Sequence, residues 1–221
     1  YAALVINTTG SNNTALGQES LYNNTTASNN TAVGKNTLYT NTTGTSNNAF
    51  GKNALYYNTT GSYNAAVGNN ALYDNTTGAS NTAVGWSALE ANTTGIRNAA
   101  VGYQALRLNT TGSYSVALGH YALGVATGSS NTALGYKAGD NITTGSSNII
   151  IGQSADAPSA TGSNQLNIGG WITGSAGVID IPNKLTSGSM PTGSVLQVVQ
   201  ALDIGNISST SASYTDANLS A

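Results

Sequence analysis

The fold is decided by a stretch of 17 residues that reads Asn81-Thr82-Ala83-Val84-Gly85-Trp86-Ser87-Ala88-Leu89-Glu90-Ala91-Asn92-Thr93-Thr94-Gly95-Ile96-Arg97. The chain repeats this stretch with small changes from its first residue to about residue 170. The glycine that closes the apolar triplet recurs every 17 residues, apart from one interval of 16, at Gly17, Gly34, Gly51, Gly68, Gly85, Gly102, Gly119, Gly135, Gly152 and Gly169. A fixed period this short, held over so many copies, is typical of a solenoid in which each repeat forms one coil.

The pattern within one repeat predicts two short strands joined by turns. Helical repeats need about 33 residues or more, so the period leaves no room for a pair of helices. Alternate side chains of a strand point to opposite faces, which puts Thr82 and Val84 on one face and Ala83 on the other. We expect Val84 to point into the coil from the first strand and Leu89 to point into it from the second.

Residues 1–170 are therefore predicted to form an all-β parallel β-solenoid, or β-roll, of about ten 17-residue coils. The period ends at Gly169, and residues 171–221 are predicted to form a strand-rich, non-repeat C-terminal cap or connector. A cap is expected because the open end of a solenoid exposes unpaired strand edges. Tyr1 aligns with the position after a repeat glycine, and the polar end of the chain looks truncated, so we expect a fragment.

The composition argues against several classes of function. Only 6% of the residues are charged, the formal net charge is −2, and no basic patch is present, which disfavours nucleic acid as a partner. The chain has no cysteine, so thiolate metal sites are excluded. No apolar run approaches the roughly 18–20 residues that span a bilayer, and membrane insertion is not expected.

The sequence offers no catalytic constellation and predicts a protein that is not an enzyme and uses no cofactor or metal. His120 is the only histidine and shares a variable column with Lys52, Asn69, Trp86 and Tyr103, so we interpret it as surface decoration. The acidic residues form no recurring pair suited to general acid–base catalysis. The surface is expected to repeat neutral turns without a concave pocket, and hence to hold no receptor site of its own.

Stacked identical coils bring like residues into ladders about 4.8 Å apart. The asparagines that precede the strands are expected to form a continuous amide ladder, which comprises Asn13, Asn30, Asn47, Asn64, Asn81 and Asn98. Glu90 and Arg107 are expected to be favourable neighbours because they carry opposite charges in one column. The residue missing from the 16-residue interval is placed in the turn at 124–128, where its loss would leave the strand register unchanged.

Two further columns allow both a structural and a functional interpretation. Four tyrosines occupy one column in consecutive coils, and this Tyr column comprises Tyr22, Tyr39, Tyr56 and Tyr73. Their rings could stack on sugars. The favoured interpretation is that the rings pack on one another or seal a subunit interface. The Asn-Thr-Thr-Gly turns also contain glycosylation sequons, which include Asn41, Asn58, Asn75, Asn92 and Asn109. The favoured interpretation of these residues is that they close the turns through side-chain hydrogen bonds.

The repeats resemble two groups of fibrous proteins. The strand of small and apolar residues before glycine is similar to the left-handed β-roll head repeats of trimeric autotransporter adhesins, whose coil is shorter. The Asn-Thr-Ala-Val-Gly motif at 81–85 more closely resembles the tail-fibre proteins of bacteriophages, marine (cyanophage-like) ones in particular. Residues 165–172 and 178–181 are similar to the distal end of such fibres, and residues 190–199 to the start of their C-terminal domain. The resemblance implies a homotrimeric virion appendage.

A physical argument also favours self-association. Two sizeable side chains per coil make a thin core for a monomer, and a stripe of methyl groups on the opposite strand face would suit a second core around a three-fold axis. The predicted trimer interface is this Ala column, which comprises Ala15, Ala32, Ala49, Ala66, Ala83, Ala100, Ala117 and Ala133.

The leading hypothesis is a structural trimeric shaft of a phage or virus tail fibre, extracellular and part of the virion, that positions a host-recognition tip. Its partners would be its own copies, other fibre or virion proteins, and host surface glycans. One alternative is the head domain of a bacterial trimeric surface adhesin, whose full gene would add a membrane anchor. A second alternative is an ice-binding solenoid, which is weakened because adjacent threonines such as Thr93 and Thr94 should diverge.

Overall fold

The computed structural model describes residues 2–175 and 178–180. Over these residues the chain is an all-β parallel β-solenoid without a helix, and its twelve strands form one sheet in chain order. The strands are β1 (Thr14–Leu16), β2 (Thr31–Val33), β3 (Asn48–Phe50), β4 (Ala65–Val67), β5 (Thr82–Val84), β6 (Ala99–Val101), β7 (Val116–Leu118), β8 (Thr132–Leu134), β9 (Ile149–Ile151), β10 (Leu166–Ile168), β11 (Ile172–Ser175) and β12 (Val178–Asp180). The first ten strands bound about nine coils, close to the ten predicted.

Neighbouring coils pair like residue on like residue, as the period predicts. Ala83 lies between Ala66 and Ala100, and every pairing from β1 to β10 is parallel. The register survives the 16-residue interval, because Leu118 of β7 still pairs with Leu134 of β8. The prediction that a turn absorbs the missing residue is therefore confirmed.

The two faces of the strands are the reverse of the prediction. Ala83 is completely buried inside the coil, whereas Thr82 is exposed and Val84 is only half-buried. The predicted inward position of Val84 is wrong because Leu89 and buried asparagines already fill the coil, so that only a methyl group fits opposite them. The Ala column, from Ala32 to Ala133, is at most 1% exposed within the single chain, so the face assignment behind the predicted trimer interface is also wrong.

Each coil contains one strand, and the predicted second strand is a series of turns. Within it Ser87 and Leu89 both have a φ of +52°, a left-handed conformation that side chains rarely adopt. Leu89 nevertheless points inward as predicted and is fully buried. Its N–H still donates to the carbonyl of Ala105 in the next coil, at 3.0 Å, so the turns stack coil on coil as a strand would.

The sheet changes direction after its tenth strand. Gly169 and Gly170 both have positive φ, at +56° and +75°, and turn the chain so that Ile172 pairs antiparallel with Ile168. β12 then pairs antiparallel with β11. Strands thus follow the array where the sequence predicts them, and the remainder of the predicted cap, including residues 190–199, lies outside the described residues.

Candidate functional site

Two columns of buried asparagine bind successive coils together. In the column at the Asn-Thr-Thr-Gly turns, Nδ2 of Asn58 donates to Oδ1 of Asn41 in the preceding coil, at 2.8 Å, and to the Gly61 carbonyl, at 2.9 Å. The same two bonds recur along this turn Asn column, which comprises Asn24, Asn41, Asn58, Asn75, Asn92 and Asn109. Both amide hydrogens are used, so each side chain connects two coils and closes its own turn.

The asparagines that precede the strands form a ladder of a different kind from the one predicted. Oδ1 of Asn81 accepts the backbone N–H of Asn98 in the next coil at 2.9 Å, and Nδ2 of Asn81 donates to the Gly95 carbonyl at 2.8 Å. Amide-to-amide bonds, which were expected here, form in the turn Asn column instead. Because Gly95 also accepts from Asn92, at 3.1 Å, its carbonyl joins the two columns.

These bonds decide between the two interpretations of the sequons. Asn41, Asn58, Asn75, Asn92 and Asn109 are all completely buried, and each donates both amide hydrogens within the fold. The turn-closing interpretation is confirmed, because the folded chain leaves no amide nitrogen at these positions for a glycan.

The turn Asn column stops where the repeat becomes irregular. The coil after Asn109 carries Ala126 in its place, and Oδ1 of Asn109 is buried without a hydrogen-bond partner. One coil further on, Gly139 replaces the inward leucine, while Ile142 and Ile150 replace the inward asparagine and alanine. A methyl group on Gly139 would lie only 3.3 Å from Ile142 and 3.4 Å from Ile150, so the two isoleucines fill the space of the missing leucine.

The Tyr column forms a continuous stack. Ring centroids of Tyr22, Tyr39, Tyr56 and Tyr73 lie 5.1–5.4 Å apart, and Tyr57 packs edge-on against Tyr56 at 4.7 Å. Burial, followed by the neighbouring tyrosines, raises the pKa of Tyr56. Burial also raises the pKa of Tyr73, with a hydrogen bond to Tyr57 as the next cause. Mutual packing is thus confirmed, while sugar binding stays a prediction that would have to use ring edges and the two end faces.

A second aromatic stack lies in the variable column. Trp86 stacks on Tyr103 at 4.9 Å, Tyr103 on His120 at 4.7 Å, and His120 on Tyr136 at 5.5 Å. The sequence interpretation paired only the first two rings and treated His120 as decoration. His120 is exposed, but it is also the third ring of this stack.

The outer face of the strands carries a continuous apolar column. It contains the residue before each repeat glycine and comprises Leu16, Val33, Phe50, Val67, Val84, Val101, Leu118, Leu134 and Ile151. These side chains are half-buried or exposed, up to 66% for Leu16. This outer apolar column, and not the Ala column, is the apolar surface that the strands present to the outside.

A notch interrupts the surface at the irregular coils. It has a volume of about 300 Å³ and is lined by Arg107, Tyr121, Gly124, Val125, Lys137 and Asp140. The expectation that the array has no concave pocket is therefore wrong. Gly124 occupies the position of the Tyr column, between Arg107 in the preceding coil and Asp140 in the following one, and its missing side chain opens this Gly124 notch.

Charge is concentrated at the notch. Nζ of Lys137 lies 4.0 Å from Oδ2 of Asp140. Burial raises the pKa of Asp140, and the nearby Asp156 raises it further, while Lys137 opposes the shift. Lys137 and Asp140 are the ion pair that the described part of the chain contains. Glu90 and Arg107, which were predicted to be favourable neighbours, do not approach within 4.0 Å of each other as an ion pair. The signal for the notch was visible in the sequence, where a glycine replaces a large side chain in the shortened repeat.

Comparisons with protein-family models, with curated proteins and with solved structures give no match to this chain. Among residues 2–175 and 178–180, no group of three or more His, Cys, Asp or Glu side chains could hold a metal ion. No helix in this part of the chain is long and apolar enough to cross a membrane.

Proposed function

We propose that the chain is a structural shaft that self-associates, as a homotrimer, within an extracellular fibre of the phage tail-fibre type, where it holds a host-recognition tip away from the particle. The observation that carries this proposal is the outer apolar column on the strands. An apolar stripe that runs along a whole monomer is unusual in a soluble protein and suits a protein–protein interface.

The period of the column favours a second copy of this chain as the partner. The stripe repeats its chemistry once per coil, with Val67, Val84 and Val101 on successive strands. A partner that is to match every coil needs the same spacing along the axis, and an identical solenoid in register has it. A closed cyclic assembly would cover the stripe on every copy, and three copies are what the resemblance to trimeric fibres suggests.

The interior suits a protein that must resist bending and stretching. Each coil is joined to the next by strand pairing, by stacked turns and by two asparagine columns, and these connections recur with little change from coil to coil. Uniform connections of this kind suit a rigid spacer. The hydroxyl of Thr93, by contrast, donates to the Thr110 carbonyl at 3.1 Å, so this threonine column has its hydroxyl hydrogens engaged within the fold. That engagement disfavours the ice-binding alternative.

Self-association can be tested with one charged substitution and a matched control. Val67 is 42% exposed on the single chain, so Val67→Arg should leave the coil folded but bring like charges together at the proposed interface. Thr77→Arg places the same charge on an exposed turn. Light scattering should find a trimer for the natural chain and for Thr77→Arg, and a monomer for Val67→Arg. A monomeric natural chain would contradict the trimer.

The fibre and adhesin alternatives are separated by where the chain is found. Antibodies against residues 1–170 should label the tail fibre of intact particles in electron micrographs. Labelling confined to the surface of bacterial cells would instead support the adhesin. Removing two whole coils (residues 52–85) should shorten the fibre by about 10 Å, on a rise of about 4.8 Å per coil, and should leave attachment to the host intact.

A further inference from the structure

The Gly124 notch brings together several charged side chains in a chain that has few of them. The chain has only six basic and eight acidic residues, yet Arg107, Lys137 and Asp140 all line this one concavity. The notch lies beside the single 16-residue repeat interval, between Gly119 and Gly135. Three charged side chains of a sparsely charged chain therefore line the surface at the shortened coil.

In the part of the chain that the structure describes, Arg107 is the basic residue of the notch that forms no ion pair within 4.0 Å. Within the described residues its guanidinium has no carboxylate within 4.0 Å and makes no hydrogen bond, whereas Lys137 is beside Asp140. A guanidinium presents its N–H groups as a planar fork that matches the two oxygens of a carboxylate. The notch is therefore suited to an anion, and to a carboxylate in particular.

Tyr121 adds an aromatic ring to the lining, and this ring is held in place. The ring of Tyr121 packs edge-on against Tyr103 at 5.5 Å and against His120 at 4.5 Å. A ring fixed in this way can offer a flat apolar surface to a ligand at low cost in side-chain entropy. Val125 adds an apolar side chain to the lining, while Lys137 provides a hydrogen-bond donor and Asp140 an acceptor.

We propose that the Gly124 notch binds one carboxylate-bearing sugar unit of an acidic polysaccharide. Arg107 would hold the carboxylate, Tyr121 would pack against the sugar ring, and Lys137 and Asp140 would bond to its hydroxyl groups. A volume of about 300 Å³ accommodates a single sugar ring with room for its neighbours to leave through the open side. The site belongs to one chain, so it goes beyond the proposed shaft function and does not depend on assembly.

The proposal is tested by saturation-transfer NMR on the full chain, with methyl glucuronide, methyl glucoside and acetate as probes. We expect the glucuronide to bind with a Kd on the order of 1 mM. The neutral glucoside lacks the carboxylate and acetate lacks the ring, so both should bind at least about tenfold more weakly.

Two variants locate the site, each with a matched control. Arg107→Gln should abolish the preference for the glucuronide, while Arg97→Gln, which removes an exposed arginine near Tyr114, should not. Gly124→Gln should fill the notch and block both sugars, while Asn69→Gln, at an exposed position three coils away, should leave binding unchanged. A Cβ on Gly124 would lie 3.2 Å from the Tyr121 carbonyl oxygen, a tight contact that a small shift relieves, and the same column holds Arg107 and Asp140 in the adjacent coils, so the coil should remain folded. Circular dichroism checks the fold of each variant. If Gly124→Gln unfolds, the binding measured for Arg107→Gln decides whether the proposal holds.

Four outcomes would overturn the proposal. Equal binding of glucuronide and glucoside would remove the role of the carboxylate, and unchanged binding by Arg107→Gln would remove that of the arginine. Acetate that binds as tightly as the glucuronide would make the notch a simple anion site. No binding of the glucuronide at concentrations on the order of 10 mM would leave no sugar site at all. Light scattering on the same samples tests the trimer separately, so failure of one proposal does not entail failure of the other.

Discussion

The regular coils (residues 17–118) and the divergent coils (residues 119–151) build the same solenoid with different interiors. A regular coil places one leucine, one alanine of the strand and one asparagine of the turn inside. The divergent coils replace this set first with Leu123, Ala126 and Ala133, and then with Gly139, Ile142 and Ile150. Strand pairing is unchanged in both regions. The difference teaches that individual interior columns are free to change while the strand register is kept, and that the leucine missing at Gly139 is offset by Ile142 and Ile150.

Columns in which the backbones of adjacent coils touch should not tolerate a change of residue. Substitutions there should cause the largest loss of stability. In the regular region, Gly51 has a φ of +130°, and a Cβ there would lie 2.5 Å from the Gly68 carbonyl oxygen. Gly51→Ala should cost about 3 to 5 kcal/mol from strain and overlap. In the divergent region, Gly124→Ala should cost only about 1 kcal/mol, because the Tyr121 carbonyl oxygen, 3.2 Å from the added Cβ, has to shift by only a few tenths of an ångström. Urea unfolding followed by circular dichroism gives both values, and similar costs would contradict the close approach.

Substituting the buried residues of one coil by those of another tests whether a larger side chain at one position compensates for a smaller one at another position of the same coil. Leu72→Ala in a regular coil leaves a hole and should cost about 2 to 4 kcal/mol. Gly139→Leu overpacks its coil and should cost about 1 to 3 kcal/mol.

Adding Ile142→Ala and Ile150→Ala to Gly139→Leu copies the set of the preceding coil and should recover most of that loss. The triple variant should therefore melt above Gly139→Leu alone. A lower melting temperature for the triple variant would show that the two isoleucines do not occupy the place of the leucine.

The turn Asn column should be strong in its middle and weak at its end. Asn58→Ala leaves Oδ1 of Asn41 and one amide hydrogen of Asn75 without partners and should cost about 1 to 3 kcal/mol. Asn109→Ala should cost less, because its Oδ1 already has no partner. Ala126→Asn would supply that partner and should raise the melting temperature slightly. Equal losses for Asn58→Ala and Asn109→Ala would rule out a cooperative column.

The smallest effect concerns pH. Burial raises the pKa of Asp74, so between its usual pKa and the raised one the unfolded chain ionises first, and stability falls as pH rises through that interval. Asp74→Asn should therefore melt slightly higher than the natural chain at pH 7 and equally at pH 3. Asp140→Asn should gain less, since it also loses the ion pair with Lys137. A lower melting temperature for Asp74→Asn at pH 7 would reverse the assigned direction.

The sequence was sufficient for the stacking of coils in register, though not for the bonds that the stacked asparagines make. The parallel register, the inward leucines and the tolerance of the shortened turn all follow from like residues stacking on like. It was insufficient where two apolar residues alternate, because Ala83 and Val84 can each face inward and the larger one was assumed to do so. The left-handed Leu89 was also out of reach, since a side chain is seldom found in that conformation.

The notch was missed for a different reason. The turn at 124–128 and the short interval were noted in the sequence only as a tolerated loss of one residue, and Arg107 only as a neighbour of Glu90, whereas the site comes from the position of Arg107, Gly124 and Asp140 at one place on the surface. Alignment of the repeats by column already places Arg107, Gly124 and Asp140 at the same position of three consecutive coils. Departures from a repeat should therefore be aligned by column before they are attributed to decay of the pattern.

The hydrogen bonds of the array run along its axis, while the covalent backbone winds around it. A pull along the axis is consequently carried by hydrogen bonds between coils, and peptide bonds take up the load only after a coil has come loose. One detached coil of 17 residues can extend to about 55 Å, whereas the stack gives up a single rise of about 4.8 Å. Under tension, such an array would unfold one coil at a time, and each coil would release a nearly equal length of chain. This release would limit the force on the structures attached at its two ends.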